Sequence, residues 1–260
     1  MKRILLAFLL ILLPISPTQS STLVTLTAPT TKLADGRFIN NELAISISPG
    51  GNLGKALEIT PSNSRTWLID PALIEEITDL VDGYIYLDQE GKDVEVAPFD
   101  LANTWLIKLR FLISNNRVVA ITYGAPSQAF LERIAPGELL NYNSLSKLRL
   151  EAFLNREVIA PGKSGVAGEP ALIAKNAYTA LRKSIKINNS VITSKDVEDL
   201  RLGLAKTLNP ALSKDDALLI SKSYSAAIKG VNNKLRISPG NYTITTKNYD
   251  LPVTIINDFT

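Results

Sequence analysis

The 260-residue sequence contains no cysteine and no histidine, one methionine and two tryptophans. Without cysteine there is no disulfide framework and no thiolate nucleophile or ligand. Without histidine, Ser-His-Asp and Cys-His machinery is excluded, and so are zinc sites built on imidazole or thiolate. A carboxylate-only calcium or magnesium site is compatible with the composition. The chain has no Asp-x-Asp-x-Asp-Gly ligand loop, however, so the sequence gives no metal site and no cofactor.

Long apolar runs are also scarce. The one that stands out is at the start, where Lys2 and Arg3 precede an apolar stretch over 4–13 and a small, polar end over 14–20. This is the pattern of a secretory signal peptide, with cleavage expected near Ser20. The apolar run is well short of the roughly 20 residues a bilayer demands. No later stretch is long enough either, so no transmembrane helix is expected in the mature chain. The formal charge of +3 shrinks once Lys2 and Arg3 leave, to 26 basic against 25 acidic residues. A net charge near +1 is no footprint for nucleic acid.

The remaining chain alternates strand-like and helix-like patterns, which predicts an α/β layer architecture. Strands are expected over 23–27, 66–69, 84–87 and 117–122, and helices over 53–58, 71–81, 98–115, from 126, and over 137–155. An acidic, glycine-containing loop is expected over 88–95, and a flexible glycine-rich one over 162–168. The helix over 98–115 carries one apolar stripe of Leu101, Trp105, Leu106, Leu109, Leu112 and Ile113. After Ala171 the pattern turns mainly helical. Thr193-x-x-Asp196 and Ser213-x-x-Asp216 have capping-box spacing, and Gly230 is expected to stop the second helix. Three strand-like stretches, 235–237, 242–246 and 253–256, then begin an antiparallel β-module that reads as incomplete.

The most informative segment is Trp67-Leu68-Ile69-Asp70-Pro71, an apolar strand running into an aspartate where a helix opens. Strand ends of this kind are where α/β proteins place their sites. Asp70 is therefore the leading candidate for a site carboxylate. Asp before Pro is equally the preferred helix start, with Asp70 as N-cap and Pro71 at the first helical position. Glu75, Glu76, Asp79 and Asp82 could pair with Asp70 across a cleft, as glycoside hydrolysis requires. Their periodicity puts most of them on a solvated helix face. The equivalent strand end in the next unit carries Tyr123 and Gly124, which read as pocket lining and an unusual backbone turn. Ser127 there reads as the start of a helix. Gly162-Lys163-Ser164 lacks the upstream glycine of a phosphate loop, so no nucleotide is expected. Trp67 and Trp105 lie on apolar faces and are expected in the core.

Several motifs occur in a telling order: Leu33-Ala34-Asp35-Gly36-Arg37-Phe38, Pro49-Gly50-Gly51-Asn52-Leu53, Trp67-Leu68-Ile69-Asp70-Pro71-Ala72-Leu73, and Asp82-Gly83-Tyr84. They continue with Trp105-Leu106-x-x-Leu109-Arg110, Tyr123-Gly124-x-Pro126, and Leu251-Pro252-Val253-Thr254-Ile255-Ile256-Asn257. This ordered set resembles a family of unknown function, made of exported, membrane-anchored actinobacterial proteins typically encoded beside the lipid II flippase. The resemblance implies a barrel-like α/β domain (TIM- or deacetylase-like), a β-sandwich-like module and a final membrane anchor that this chain lacks. The family tends to carry Asp-Pro-Asp after Tyr-Gly, where this chain has Ala125-Pro126-Ser127. The barrel is similar to polysaccharide deacetylases, whose Asp-His-His metal triad a histidine-free chain cannot supply.

These readings combine as a signal peptide over 1–20, a barrel-like α/β domain over 21–190, a helical segment over 191–230 and an incomplete antiparallel β-module over 231–260. The functional expectation is an exported, non-catalytic binding or scaffold protein of the cell envelope, linked to peptidoglycan-precursor export. Its expected partners are envelope-assembly membrane proteins or cell-wall glycan. The alternative is a carboxylate-dependent, glycan-active enzyme using Asp70.

Overall fold

The computed structural model describes residues 22–162, 166–191, 194–238 and 254–258. The signal sequence, the centre of the 162–168 loop, the Thr193 cap and the 242–246 strand lie outside the described residues.

The chain is mixed α/β. Its main sheet holds β1 (Thr22–Leu26), β2 (Arg65–Ile69) and β5 (Arg117–Ala120), all parallel and adjacent in the order β1-β2-β5. Val119 adds a parallel bridge to Ile159, a rudimentary fourth position. The remaining strands pair among themselves. β3 (Tyr84–Leu87) and β4 (Asp93–Val96) form an antiparallel hairpin, so the expected acidic loop runs into strand at Asp93. β6 (Leu235–Ile237) and β7 (Ile255–Asn257) form a second antiparallel pair.

The described sheet is open, not a closed barrel. Closing a barrel takes about eight strands with matched tilt and stagger, and after Ile159 the described chain offers none that join this sheet. A helical layer packs there instead. It begins at α7 (Leu172–Val191), where the pattern was expected to turn helical, and continues through α8 (Lys195–Gly203), a 3-10 turn (Leu204–Leu208) and α9 (Lys214–Lys234). Ser213 caps α9 by accepting the Asp216 amide at 3.1 Å. The helix runs on through Gly230 rather than ending there. Nothing lies within 4 Å of a Cβ built on that glycine, and its helical backbone fits any residue.

The apolar interior has two parts, which share two helices. The first joins the sheet to α1 (Glu42–Ile47), α2 (Asn52–Ala56) and α4 (Asp100–Ile113), with Trp67, Trp105 and all of the predicted α4 stripe except Leu101 inside it. Helix α1 is not among the helices expected from the sequence. The second core joins α5 (Gln128–Ile134), α6 (Pro136–Leu154) and α7 to α9 around Leu131, Tyr142 and Tyr178. Burying each such large side chain contributes about 1.5–3 kcal/mol. Helix α3 (Pro71–Asp79) belongs to both, giving Leu73, Ile74 and Ile77 to the first and Ala72 to the second. It is enclosed on two sides, which a single apolar stripe does not predict. No described helix is long and apolar enough to cross a membrane.

Candidate functional site

Strands β2 and β5 point their C-terminal ends at the same place. Ile69 leads into Asp70, and Ala120 leads through Thr122 to Tyr123 and Gly124. Asp70 is the N-cap of α3, with Pro71 in the first turn. Its Oδ1 accepts the Ala72 amide at 2.9 Å and the Gly124 amide at 3.0 Å. The carboxyl is fully buried, and Oδ2 has no hydrogen-bond partner among the described residues. Burial is the main cause that pushes the Asp70 pKa up to about 7, against the two amide bonds that favour the anion. Asp70 thus stitches two strand ends together from behind the cleft and does not line it.

Gly124 has φ +75°, the left-handed region. A Cβ there would meet Lys206 Cα and Cγ, both at 2.9 Å. Its carbonyl accepts the Asn209 side-chain amide at 3.1 Å. The position therefore needs glycine twice over, for its backbone and for the close approach of the 3-10 turn. Ser127 caps α5, its Oγ accepting the Phe130 amide at 3.4 Å.

In front of this stitch lies a cleft of ≈ 920 Å³ between α3, α6, α8, the 3-10 turn, α9 and the loop at residues 32–36. Of the candidates Asp70, Tyr123 and Gly124 only Tyr123 lines it, joined by Glu75, Glu76 and Asp79 from the acids weighed as partners of Asp70. Most of the wall comes from elsewhere. Glu76 is 1% exposed and Lys206 5% exposed, and Lys206 Nζ donates to Glu76 Oε1 at 2.8 Å. The Thr31 amide donates to the other Glu76 oxygen at 2.9 Å. Glu76 is therefore buried, unlike the solvated face expected for most of these acids. Its helix is covered on that side by the helical layer.

Lys206 sits 5.8 Å from the Tyr123 ring centroid. Burial pulls the Lys206 pKa down, but the Glu76 carboxylate outweighs it and holds the ammonium well above the ordinary lysine value. The Tyr123 hydroxyl donates to Glu75 Oε2 at 2.5 Å, and burial chiefly drives its pKa well above the ordinary tyrosine value. Arg149 lies 3.6 Å from Glu75 and hydrogen-bonds Asp199, which also takes Lys195 at 2.6 Å. Lys32 bonds Asp79 at 2.5 Å. At neutral pH the lysine is protonated and the tyrosine neutral, so neither is a ready nucleophile or base. What the cleft offers is charge, hydrogen bonds and apolar wall.

Arg149, Asp199, Lys206 and Tyr224 had no place in the sequence reading. One signal was present: Lys206 interrupts the apolar run Leu202 to Leu208, and a charge there must be paired if it is buried. Among the described residues no group of three or more acidic side chains is arranged to hold a metal. Comparisons of the chain with family models, with curated proteins and with solved structures give no match.

Proposed function

We propose that the chain is an exported cell-envelope protein that binds, without chemically altering, a polar ligand in the cleft between its α/β part and its helical layer. One observation carries this reading. Three ion pairs link different elements around the ≈ 920 Å³ cleft, Glu76–Lys206, Asp199–Arg149 and Asp79–Lys32. The acid with the raised pKa, Asp70, faces away behind them. A cavity of this size suits a ligand of several sugar or amino-acid units.

The signal-like N-terminus and the resemblance to the exported actinobacterial family support the envelope setting, with cell-wall glycan or envelope-assembly proteins as ligand or partner. The parallel strands are neighbours in chain order, as in successive units of a barrel, and this supports the deacetylase-like kinship as part of the proposal. The test is twofold. Expression in a host with an active secretion pathway should release a product shortened by about 20 residues, as signal peptides of this length are. Pulldown from native membranes should enrich envelope-assembly proteins, or binding assays should show saturable uptake of cell-wall fragments. A full-length cytoplasmic product, with neither kind of partner recovered, overturns the proposal.

A second reading has one observation in its favour. A carboxyl with pKa about 7 at a strand end is poised for proton transfer. A glycan-active enzyme using Asp70 would lose turnover in Asp70→Asn. No turnover in the wild type, or equal turnover in both, removes that reading.

A further inference from the structure

The two faces of the parallel sheet are unequally covered. Residues paired in register share a face, and successive residues alternate between faces. On one face Leu26, Ile69 and Ala120 stand in a row, all buried in the first core. On the other, a row of Thr25, Leu68, Val119 and Ile159 crosses the whole sheet. Leu68 and Val119 are only half-buried, Thr25 is exposed, and Ile159 is 42% exposed. Leu23, on the same face two residues before Thr25, is 59% exposed. Among the described residues, Leu23, Leu68, Val119 and Ile159 belong to neither apolar core. Parallel sheets are covered on both faces almost without exception, so this face stands out as one built to be covered. The charges that border it, Arg117 and Glu157, lie two residues before Val119 and Ile159 and are opposite in sign.

We propose that two copies of the chain associate through this face, sheet against sheet about a two-fold axis. The centre of the face is apolar and its bordering charges cancel, so a second copy meets it with matching polarity and no net repulsion. A two-fold contact uses the same patch on both copies and closes at two. Four strand positions about 4.8 Å apart, with strands of up to five residues rising about 3.3 Å each, present roughly 300 Å² per copy. Two copies therefore bury roughly 600 Å² through the sheets, against the about 1,200–2,000 Å² of a stable complex. The dimer is accordingly a reversible one. None of Leu23, Leu68, Val119 and Ile159 lines the cleft, so this association is independent of ligand binding there.

Sedimentation equilibrium of the purified protein is expected to show monomer and dimer exchanging with a Kd on the order of 100 μM, as a small interface implies, and nothing larger. Leu23→Lys and Ile159→Lys, at opposite sides of the face, should each weaken association at least about tenfold, because the ammonium must be desolvated against apolar surface. Both positions are exposed in the single copy, so the thermal midpoint should stay close to wild type. Phe111→Lys is the control. Phe111 is exposed on α4, which packs into the core on the other side of the sheet, and its change should leave association unaltered. A monomer at every concentration overturns the proposal, and so do species that keep growing beyond two. Weakening by Leu23→Lys without weakening by Ile159→Lys would assign the contact to the open edge of β1 and overturn it as well. An equal loss in Phe111→Lys would do the same.

Discussion

Lys206 Nζ lies 2.8 Å from Glu76 Oε1, joining residues 130 positions apart in the chain. One sits on the helix that follows β2, the other on the 3-10 turn of the helical layer. The pair fixes how those two layers meet, and with them the shape of the cleft. Both side chains are almost wholly buried, so each charge depends on the other for its stability.

Removing one partner should therefore cost far more than removing both. Glu76→Gln or Lys206→Met alone is expected to destabilise the fold by about 3–5 kcal/mol, the usual effect of stranding a buried charge. The double variant should recover a substantial part of that loss. Urea unfolding of the four proteins measures the coupling. Additive single effects would contradict it.

Asp70 gives a pH signature. Its pKa is raised from 3.8 to about 7 in the folded state, so between these values the native protein binds more protons than the unfolded chain. Stability from this group is full below about pH 4 and falls as pH rises toward 7, by up to about 4 kcal/mol. Asp70→Asn keeps a neutral acceptor for the Ala72 and Gly124 amides, and should flatten that part of the profile. Denaturant titrations from pH 4 to 8 read the difference. An unchanged profile would show that Asp70 titrates normally.

Gly124→Ala should be severe for so small a change. The left-handed backbone costs a residue with a Cβ about 1–2 kcal/mol, and the new methyl would meet the Lys206 backbone at 2.9 Å. A loss of at least about 2 kcal/mol is expected in thermal or urea unfolding. Gly36→Ala is the control, with φ +95° but nothing within 4 Å, and should show the backbone cost alone. Equal losses at both positions would mean that the 3-10 turn yields to the added methyl.

Local features were legible in the sequence and long-range ones were not. The Asp70-Pro71 helix start, the α4 stripe, the β5 strand and the buried tryptophans follow from short-range chemistry and periodicity, and all four are present. Tyr123 was placed at the right strand end for the same reason. Glu76 was misread because periodicity counts apolar residues, and a helix enclosed on two sides buries a charge whose partner is 130 residues away. The strand–helix pattern predicted an α/β architecture, which is present. The closed barrel was implied by the family resemblance alone, and the described sheet stays open, with a helical layer following Ala171.

The proposed function is binding without turnover, in the cleft and not at Asp70. The most direct measurement is calorimetric titration of wild type, Arg149→Gln and Asp70→Asn with soluble peptidoglycan fragments, with mass spectrometry of the recovered fragments. Saturable binding is expected of wild type and of Asp70→Asn, weakened roughly tenfold or more in Arg149→Gln through loss of a charge-assisted hydrogen bond. Every fragment should be returned intact. Fragments cleaved or modified by the wild type but not by Asp70→Asn would contradict it.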